Sequence, residues 1–221
     1  MQKAKLKRPK SLSEIAADHI RSAIIQGEYG LGENLKESAL SNKMGISKTP
    51  VREALATLKR EGLLQSVSGK GTHVFTLTAD ELKQLFIYRY TLETAALDIA
   101  FATDAKTLGE RLGVICKEME AARSTEKFNE YLQLDTDFHA TFFIVASNKY
   151  LRDGYSSLSA KIATLRTHLS RKPHRVEKSF KEHNDIATSI AQGNLEAARD
   201  VLRQQIDRGQ DAYDELLTST S

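Results

Sequence analysis

The sequence predicts a mainly α-helical protein, with an N-terminal winged helix-turn-helix followed by a C-terminal all-α antiparallel helical bundle. Three observations predict it. The stretch Gly45-Ile46-Ser47-Lys48-Thr49-Pro50-Val51-Arg52 reads as a tight turn opening into a helix, with cations and hydroxyls in its first turn. From Thr78 onward the only proline is Pro173, set among long runs of helix formers. Charge is also divided. Residues 1–76 carry 13 Lys and Arg against 7 Asp and Glu, whereas the remainder carries 19 against 22. A basic part joined to an acidic part points to one nucleic-acid-binding module and one module with another task, because phosphate neutralisation supplies most non-specific affinity.

Residues 1–10 read as a basic tail with Lys3, Lys5, Lys7, Arg8 and Lys10. Residues 11–76 read as the winged domain. Its first helix runs from Ser11 to Gln26, with Ile15, Ile20, Ala23 and Ile24 on the core side. A short helix follows from Lys36 to Met44, whose apolar side is Leu35, Leu40 and Met44. Pro50 fits the first turn of the next helix, where an N–H would be unpaired anyway. Ser47 or Thr49 can cap that end. Ala54, Leu55, Leu58 and Leu63 then keep helical spacing, and Gly62 stops the helix. Leu64–Val67 and Thr72–Thr76 are short β-prone runs joined by the hairpin tip Ser68-Gly69-Lys70-Gly71. Lys48, Thr49 and Arg52 project from the helix end that a recognition helix presents to the major groove. Lys70 and the backbone of Gly69 and Gly71 are placed for phosphate or the adjacent minor groove.

A linker at 77–79 leads to a helical domain at 80–217, a connection short enough for the two domains to communicate mechanically. Thr78-Ala79-Asp80-Glu81 offers a cap with acids in the first turn. Helices are expected at about 79–102, 105–123, 127–147, 149–170, 175–192 and 194–217, with Gly193-Asn194 acting as a stop and a new cap. The apolar content of 40% supports a packed core in each part. The single Cys116 excludes an internal disulfide and fits a reducing cytoplasm. The N-terminus lacks the apolar run of a secretory signal. No segment approaches the roughly 20 consecutive apolar residues of a membrane span.

Polar residues on apolar stripes mark the candidate sites. Phe128, Tyr131, Leu132, Phe138, Phe142, Phe143 and Ala146 define the buried side of the third bundle helix, and Asp135 and His139 fall on that side four residues apart. His183 lies between Phe180 and Ile186 on the fifth helix, and Gln205 follows Ala198, Val201 and Leu202 on the last. A buried carboxylate is costly unless paired or ligating, and helical bundles gather metal ligands from facing helices. Plain hydrogen bonding, with Asp135 paired to His139, is the other reading. Arg89 rides the inward stripe between Leu85 and Leu92, one turn before Glu93. It either forms a buried ion pair with Glu93 or aims its guanidinium at a ligand carboxylate through two parallel hydrogen bonds. Arg166 and His168 add polarity to the same region.

The run from Gly27-Glu28-Tyr29-Gly30-Leu31-Gly32 through Lys48-Thr49-Pro50-Val51-Arg52-Glu53-Ala54-Leu55 to Glu61-Gly62-Leu63 resembles the GntR family of bacterial transcription regulators. The following region resembles that family's FCD-type effector domain, and together the resemblance spans about residues 11 to 215. Lys48 stands where the family usually has Arg; it keeps a charge for phosphate but loses bidentate reach to guanine. Ser38 stands where members often carry a DNA-contacting Arg. The resemblance implies a metal held by an Asp and a His four apart and by two later His. Asp135, His139 and His183 match the first three; the fourth falls on Gln205, whose amide oxygen is a weaker transition-metal ligand than imidazole. The resemblance also implies that Arg89-Tyr90-Thr91-Leu92-Glu93 belongs to a site for small organic acids.

The expectation is therefore a ligand-responsive DNA-binding regulator, a repressor of a catabolic operon, acting as a cytoplasmic homodimer on a palindromic double-stranded operator. DNA contacts are expected from Ser38, Ser47, Lys48, Thr49, Arg52, Gly69, Lys70 and Gly71. A small carboxylate effector is expected at Arg89, Glu93 and Arg166. A divalent metal, zinc, nickel or manganese, is expected at Asp135, His139 and His183, with Gln205 at the fourth position. Two alternatives stay open: a regulator for which the ion itself is the signal, and a metal-dependent hydrolase. No nucleophile motif or phosphate loop accompanies the ligand set, and a hydrolase leaves the winged domain without a task.

Overall fold

The computed structural model describes residues 9–169 and 173–219. Residues 1–8 of the expected basic tail and residue 170 of an expected helix lie outside it. The chain divides into two compact units, Met1–Thr76 and Leu77–Ser221.

The first unit contains α1 (Leu12–Ile25), α2 (Glu37–Met44), α3 (Lys48–Arg60) and an antiparallel hairpin of β1 (Leu64–Val67) and β2 (Gly71–Val74). A reciprocal capping box opens α1: the Glu14 N–H donates to Ser11 Oγ and the Ser11 N–H donates to Glu14 Oε2. Ile20, Ile24, Leu40, Val51, Leu55 and Leu58 are buried, so three amphipathic faces close on one core, with Leu64 and Val74 sealing it from the hairpin. The register pairs Leu64 with Val74 and Val67 with Gly71. The second strand is shorter than Thr72–Thr76: Phe75 and Thr76 leave the ladder, and Phe75 is buried in the core. Ile15 is 51% exposed rather than core. Standing five residues before Ile20, it is rotated about 140° around the helix, and Ala16 and Ala17 take the inward positions.

The second unit contains α4 (Ala79–Ser124), α5 (Phe128–Ala146), α6 (Lys149–Leu169), α7 (Pro173–Ala191) and α8 (Leu195–Ser219). Thr78 and Glu81 cap α4 as its opening residues imply, again reciprocally. Helix α4 breaks at Asp104, whose φ of −160° and ψ of 79° are not helical. The Asp104 side chain accepts the Thr107 N–H at 2.9 Å and so caps the second segment. The two expected helices at 79–102 and 105–123 are these two segments. Helix α4 packs against α5, α7 and α8 around Leu97, Leu108, Phe138, Phe142, Ile186 and Leu202. Phe128 is 37% exposed instead of buried, because it opens α5 where no preceding turn covers it.

Candidate DNA-reading surface and buried polar centre

In the first unit, the turn before α3 aims the reading end. Gly45 ends α2 with φ of +65°, a left-handed geometry that suits glycine. Ser47 takes the N-cap position of α3 with extended dihedrals, although its hydroxyl makes no capping hydrogen bond. Ser47, Lys48, Thr49 and Arg52 are exposed there, as is Ser38 on α2. Arg52 rests on Glu37 of α2, with Nη2 donating to Oε2 at 3.0 Å and Nε 3.3 Å from both oxygens. That guanidinium holds the Glu37 carboxyl below its ordinary range. The pair is solvent-exposed, so Arg52 can exchange this partner for another at little cost. Gly69, Lys70 and Gly71 are exposed at the hairpin tip. Asn34 steadies the tip by donating from Nδ2 to the Lys70 carbonyl.

In the second unit, one polar centre draws on every helix. Helix α4 supplies Arg89 and Glu93, α5 supplies Asp135 and His139, α6 supplies Arg166, α7 supplies His183 and α8 supplies Gln205. Glu93, His139 and His183 are fully buried, and Arg89, Asp135 and Gln205 nearly so. Arg89 Nε donates to Glu93 Oε1 at 2.8 Å, so the ion-pair reading of Arg89 holds. The other oxygen, Oε2, lies 2.9 Å from His139 Nδ1, displaced from the ideal N–H direction. Asp135 pairs not with His139 but with Arg166, whose Nε lies 2.9 Å from Oδ2.

Around His183 Nε2 stand three polar atoms: His139 Nε2 at 3.4 Å, Asp135 Oδ1 at 3.4 Å and Gln205 Nε2 at 3.3 Å. A ring nitrogen carries one proton or one lone pair, so it cannot satisfy all three by hydrogen bonding. Donors bound about 2.0–2.1 Å from a tetrahedral ion are separated by roughly 3.3 Å. The ligating atoms of Asp135, His139 and His183 all lie within 4.8 Å of one another. Gln205 Oε1 is buried without a hydrogen-bond partner. The donor set therefore fits a divalent cation.

The electrostatics agree with neutral imidazoles between carboxylates. Burial pushes His183 down to about 3 and His139 below its usual value, so both carry available lone pairs. Burial alone would raise Asp135 and Glu93. The Arg166 guanidinium outweighs it at Asp135 and the Arg89 guanidinium outweighs it at Glu93, leaving both carboxyls below their ordinary range.

A cavity of about 50 Å³ adjoins this centre. Arg89, Asp135, Arg166 and Gln205 form its inner wall, and Phe86, Ile162 and Leu165 give it an apolar side. Glu93 does not line the cavity; it sits behind Arg89 and His139 and holds both. His168 Nδ1 donates to the Thr164 carbonyl of its own helix, and His168 does not line the cavity either. Arg175 and Arg208 do line it and escaped sequence reasoning. Arg208 is held by Glu182, its Nε donating to Oε1 at 3.0 Å. The only sequence signals for this pair were its neighbours: Arg208 is three residues after Gln205, and Glu182 precedes His183.

A winged helix-turn-helix with an exposed cationic helix end, carried in one chain with a second, helical unit, defines a DNA-binding regulator. The model of bacterial regulatory proteins of the gntR family matches residues 12–74, and that of the FCD domain matches residues 84–208. The chain belongs to the GntR family, in its FCD-domain branch. It is 24% identical over 208 residues to the gluconate operon transcriptional repressor of Bacillus subtilis, covering 92% of this chain and 85% of that one. It is 25% identical over 199 residues to the HTH-type transcriptional repressor GlaR of Escherichia coli, covering 85% and 89%. The solved structure of McbR/YncC from E. coli shares the fold with a TM-score of 0.78 at 17% identity, covering 94% of this chain and 100% of that one. The protein is thus a DNA-binding transcription regulator and not an enzyme, which removes the hydrolase alternative. Among the described residues, no helix is long and apolar enough to cross a membrane.

Proposed function

We propose that this regulator is a ligand-gated repressor of a catabolic operon, acting in the cytoplasm as a homodimer on a palindromic operator. In this reading Lys48, Thr49 and Arg52 enter the major groove, with Ser38 and Ser47 beside them. Gly69, Lys70 and Gly71 contact phosphate or the adjacent minor groove. Two-fold symmetry of the protein is mirrored in the half-sites. A small carboxylate is bound by Arg89 and Arg166, and Glu93 fixes Arg89 from behind. A divalent cation is held by Asp135, His139 and His183, where it would supply a positive anchor for the acid. The cavity is small in this conformation, about 50 Å³, which favours a small acid. Repression is supported by similarity to the gluconate operon transcriptional repressor and to the transcriptional repressor GlaR, and an operon target by the former.

The carrying observation is the centre itself: the buried Arg89 and half-buried Arg166 on a cavity beside a buried Asp/His/His cluster. Such buried charge is expensive unless a ligand or partner uses it. The acid must bind one DNA-affinity state better than the other, or nothing shifts. The test is to select operator fragments with the purified protein and titrate small mono- and dicarboxylates against the complex. Release of the operator by at least one acid, with metal held constant, supports the acid-sensing reading. Release on metal titration alone, without any acid, favours the ion as signal instead.

A further inference from the structure

We infer that Gln205 is the metal-selecting residue of the buried centre, ligating through its amide oxygen and steering the site away from zinc toward a harder ion such as manganese. This rests on the metal reading above. Gln205 is 7% exposed, so its amide cannot turn to solvent for partners. As placed, its Nε2 lies 3.3 Å from His183 Nε2, while its Oε1 is buried with no hydrogen-bond partner. The amide thus spends its donor side on a histidine nitrogen and strands its acceptor side, a costly arrangement in a protein interior.

The two ends of a glutamine amide are nearly isosteric, and their assignment follows from their partners. Once a cation engages the lone pair of His183 Nε2, an N–H donor at that position would point at positive charge. Rotating the amide by half a turn presents Oε1 to the same spot. The spacing suits this: 3.3 Å from His183 Nε2 is the separation of neighbouring ligands around one ion, and it matches the 3.4 Å spacings to His139 and Asp135. The rotation exchanges the two ends of the amide and gives Oε1 the cation as its partner. The completed set is two imidazole nitrogens, one carboxylate oxygen and one amide oxygen. Oxygen donors favour manganese-type ions, whereas a third imidazole favours zinc and nickel. Raw affinity still follows the general order of divalent metals, so the effect is on the ratio between ions.

The test uses full-length protein without an affinity tag, freed of metal by chelator. Zinc and manganese are titrated in competition with a chromogenic chelator for wild type, Gln205→His, Gln205→Leu and Asp135→Ala. Cobalt absorption spectra report ligand number independently. Expected are a zinc affinity raised about ten-fold or more in Gln205→His with manganese changed by less than about three-fold, and a loss of about ten-fold for both ions in Gln205→Leu. Matching melting temperatures of the metal-free variants establish that Gln205→Leu folds. If Gln205→Leu binds both ions like wild type and gives the same cobalt spectrum, Gln205 is no ligand, while the metal reading stands. If wild type binds neither ion more tightly than Asp135→Ala, the metal reading and this inference fall together.

Discussion

His139 Nδ1 lies 2.9 Å from one oxygen of Glu93, and Arg89 Nε donates to the other oxygen at 2.8 Å. One buried carboxylate therefore grips a histidine of the candidate metal set and the arginine that lines the cavity. Its contact with Nδ1 favours the imidazole tautomer protonated there, which leaves Nε2 with a lone pair directed at His183. A carboxylate behind a ligating histidine orients the ring and raises its basicity. In the proposed reading Glu93 is thus a positioning residue for both the metal and the acid, though it reaches neither.

Replacing Glu93 with Gln should weaken divalent-metal affinity by about 10- to 100-fold, because the carboxylate that orients His139 is lost. It should also destabilise the bundle by about 3–5 kcal/mol, since Arg89 is left as an uncompensated buried charge. Denaturant unfolding of the metal-free protein measures the second effect. The double variant Arg89→Met with Glu93→Gln should recover part of that loss. Additive losses would show that the two side chains do not interact.

Arg89→Ala should abolish any acid-dependent thermal shift while leaving operator affinity within about two-fold, because the DNA-reading helix belongs to the other unit. Thermal unfolding with and without a panel of small carboxylates reads this directly. An unchanged acid response in the variant would remove Arg89 from the effector site.

The reading helix, the hairpin and the inward Asp135, His139 and His183 were legible because each is a local pattern. The first is a glycine turn with a proline in the first helical turn. The second is a glycine-rich tip between β-prone runs. The third is an i, i+4 pair on an apolar stripe. The break at Asp104 was legible as a gap between two helical periods. What escaped depends on contacts between distant segments. Glu37 reaches Arg52 from another helix, and Glu182 reaches Arg208 across 26 residues of chain. No periodicity announces such pairs. Phe128 went wrong because hydrophobic spacing gives the face but not how far the cover extends at a helix end, and Ile15 because it lies off the face that Ala16, Ala17 and Ile20 share.

Arg52→Ala should cost about 1–3 kcal/mol of operator binding and relax base choice. Glu37→Gln should act oppositely. It frees Arg52 from its resting partner and removes a negative charge beside the phosphates, so operator affinity should hold or rise, most visibly at low salt. Fluorescence anisotropy over a salt series separates the two. A Glu37→Gln protein that binds as poorly as Arg52→Ala would mean that Glu37 positions Arg52 for recognition instead of competing for it.

Metal removal should lower the stability of the wild-type protein, because an ion that binds only the folded centre adds stability by mass action. At a free metal concentration one hundred times the dissociation constant the gain is about 2.7 kcal/mol. The ligands come from α5 and α7, so the ion ties together helices that otherwise meet through apolar packing. Chelator should thus shift the unfolding of the bundle downward, and added metal should restore it. Asp135→Ala removes a ligand and also strands Arg166, which lines the cavity 2.9 Å from that carboxylate. Its metal-free form should therefore be less stable than wild type, and its unfolding should no longer respond to metal. His139→Leu removes a ligand without touching the Asp135–Arg166 pair, so it separates the two effects. It should keep Arg166 paired to Asp135 and lose only the metal response. Scanning calorimetry of the three proteins with chelator and with added metal measures all of these shifts. A metal-induced rise of equal size in wild type and both variants would place the ion elsewhere.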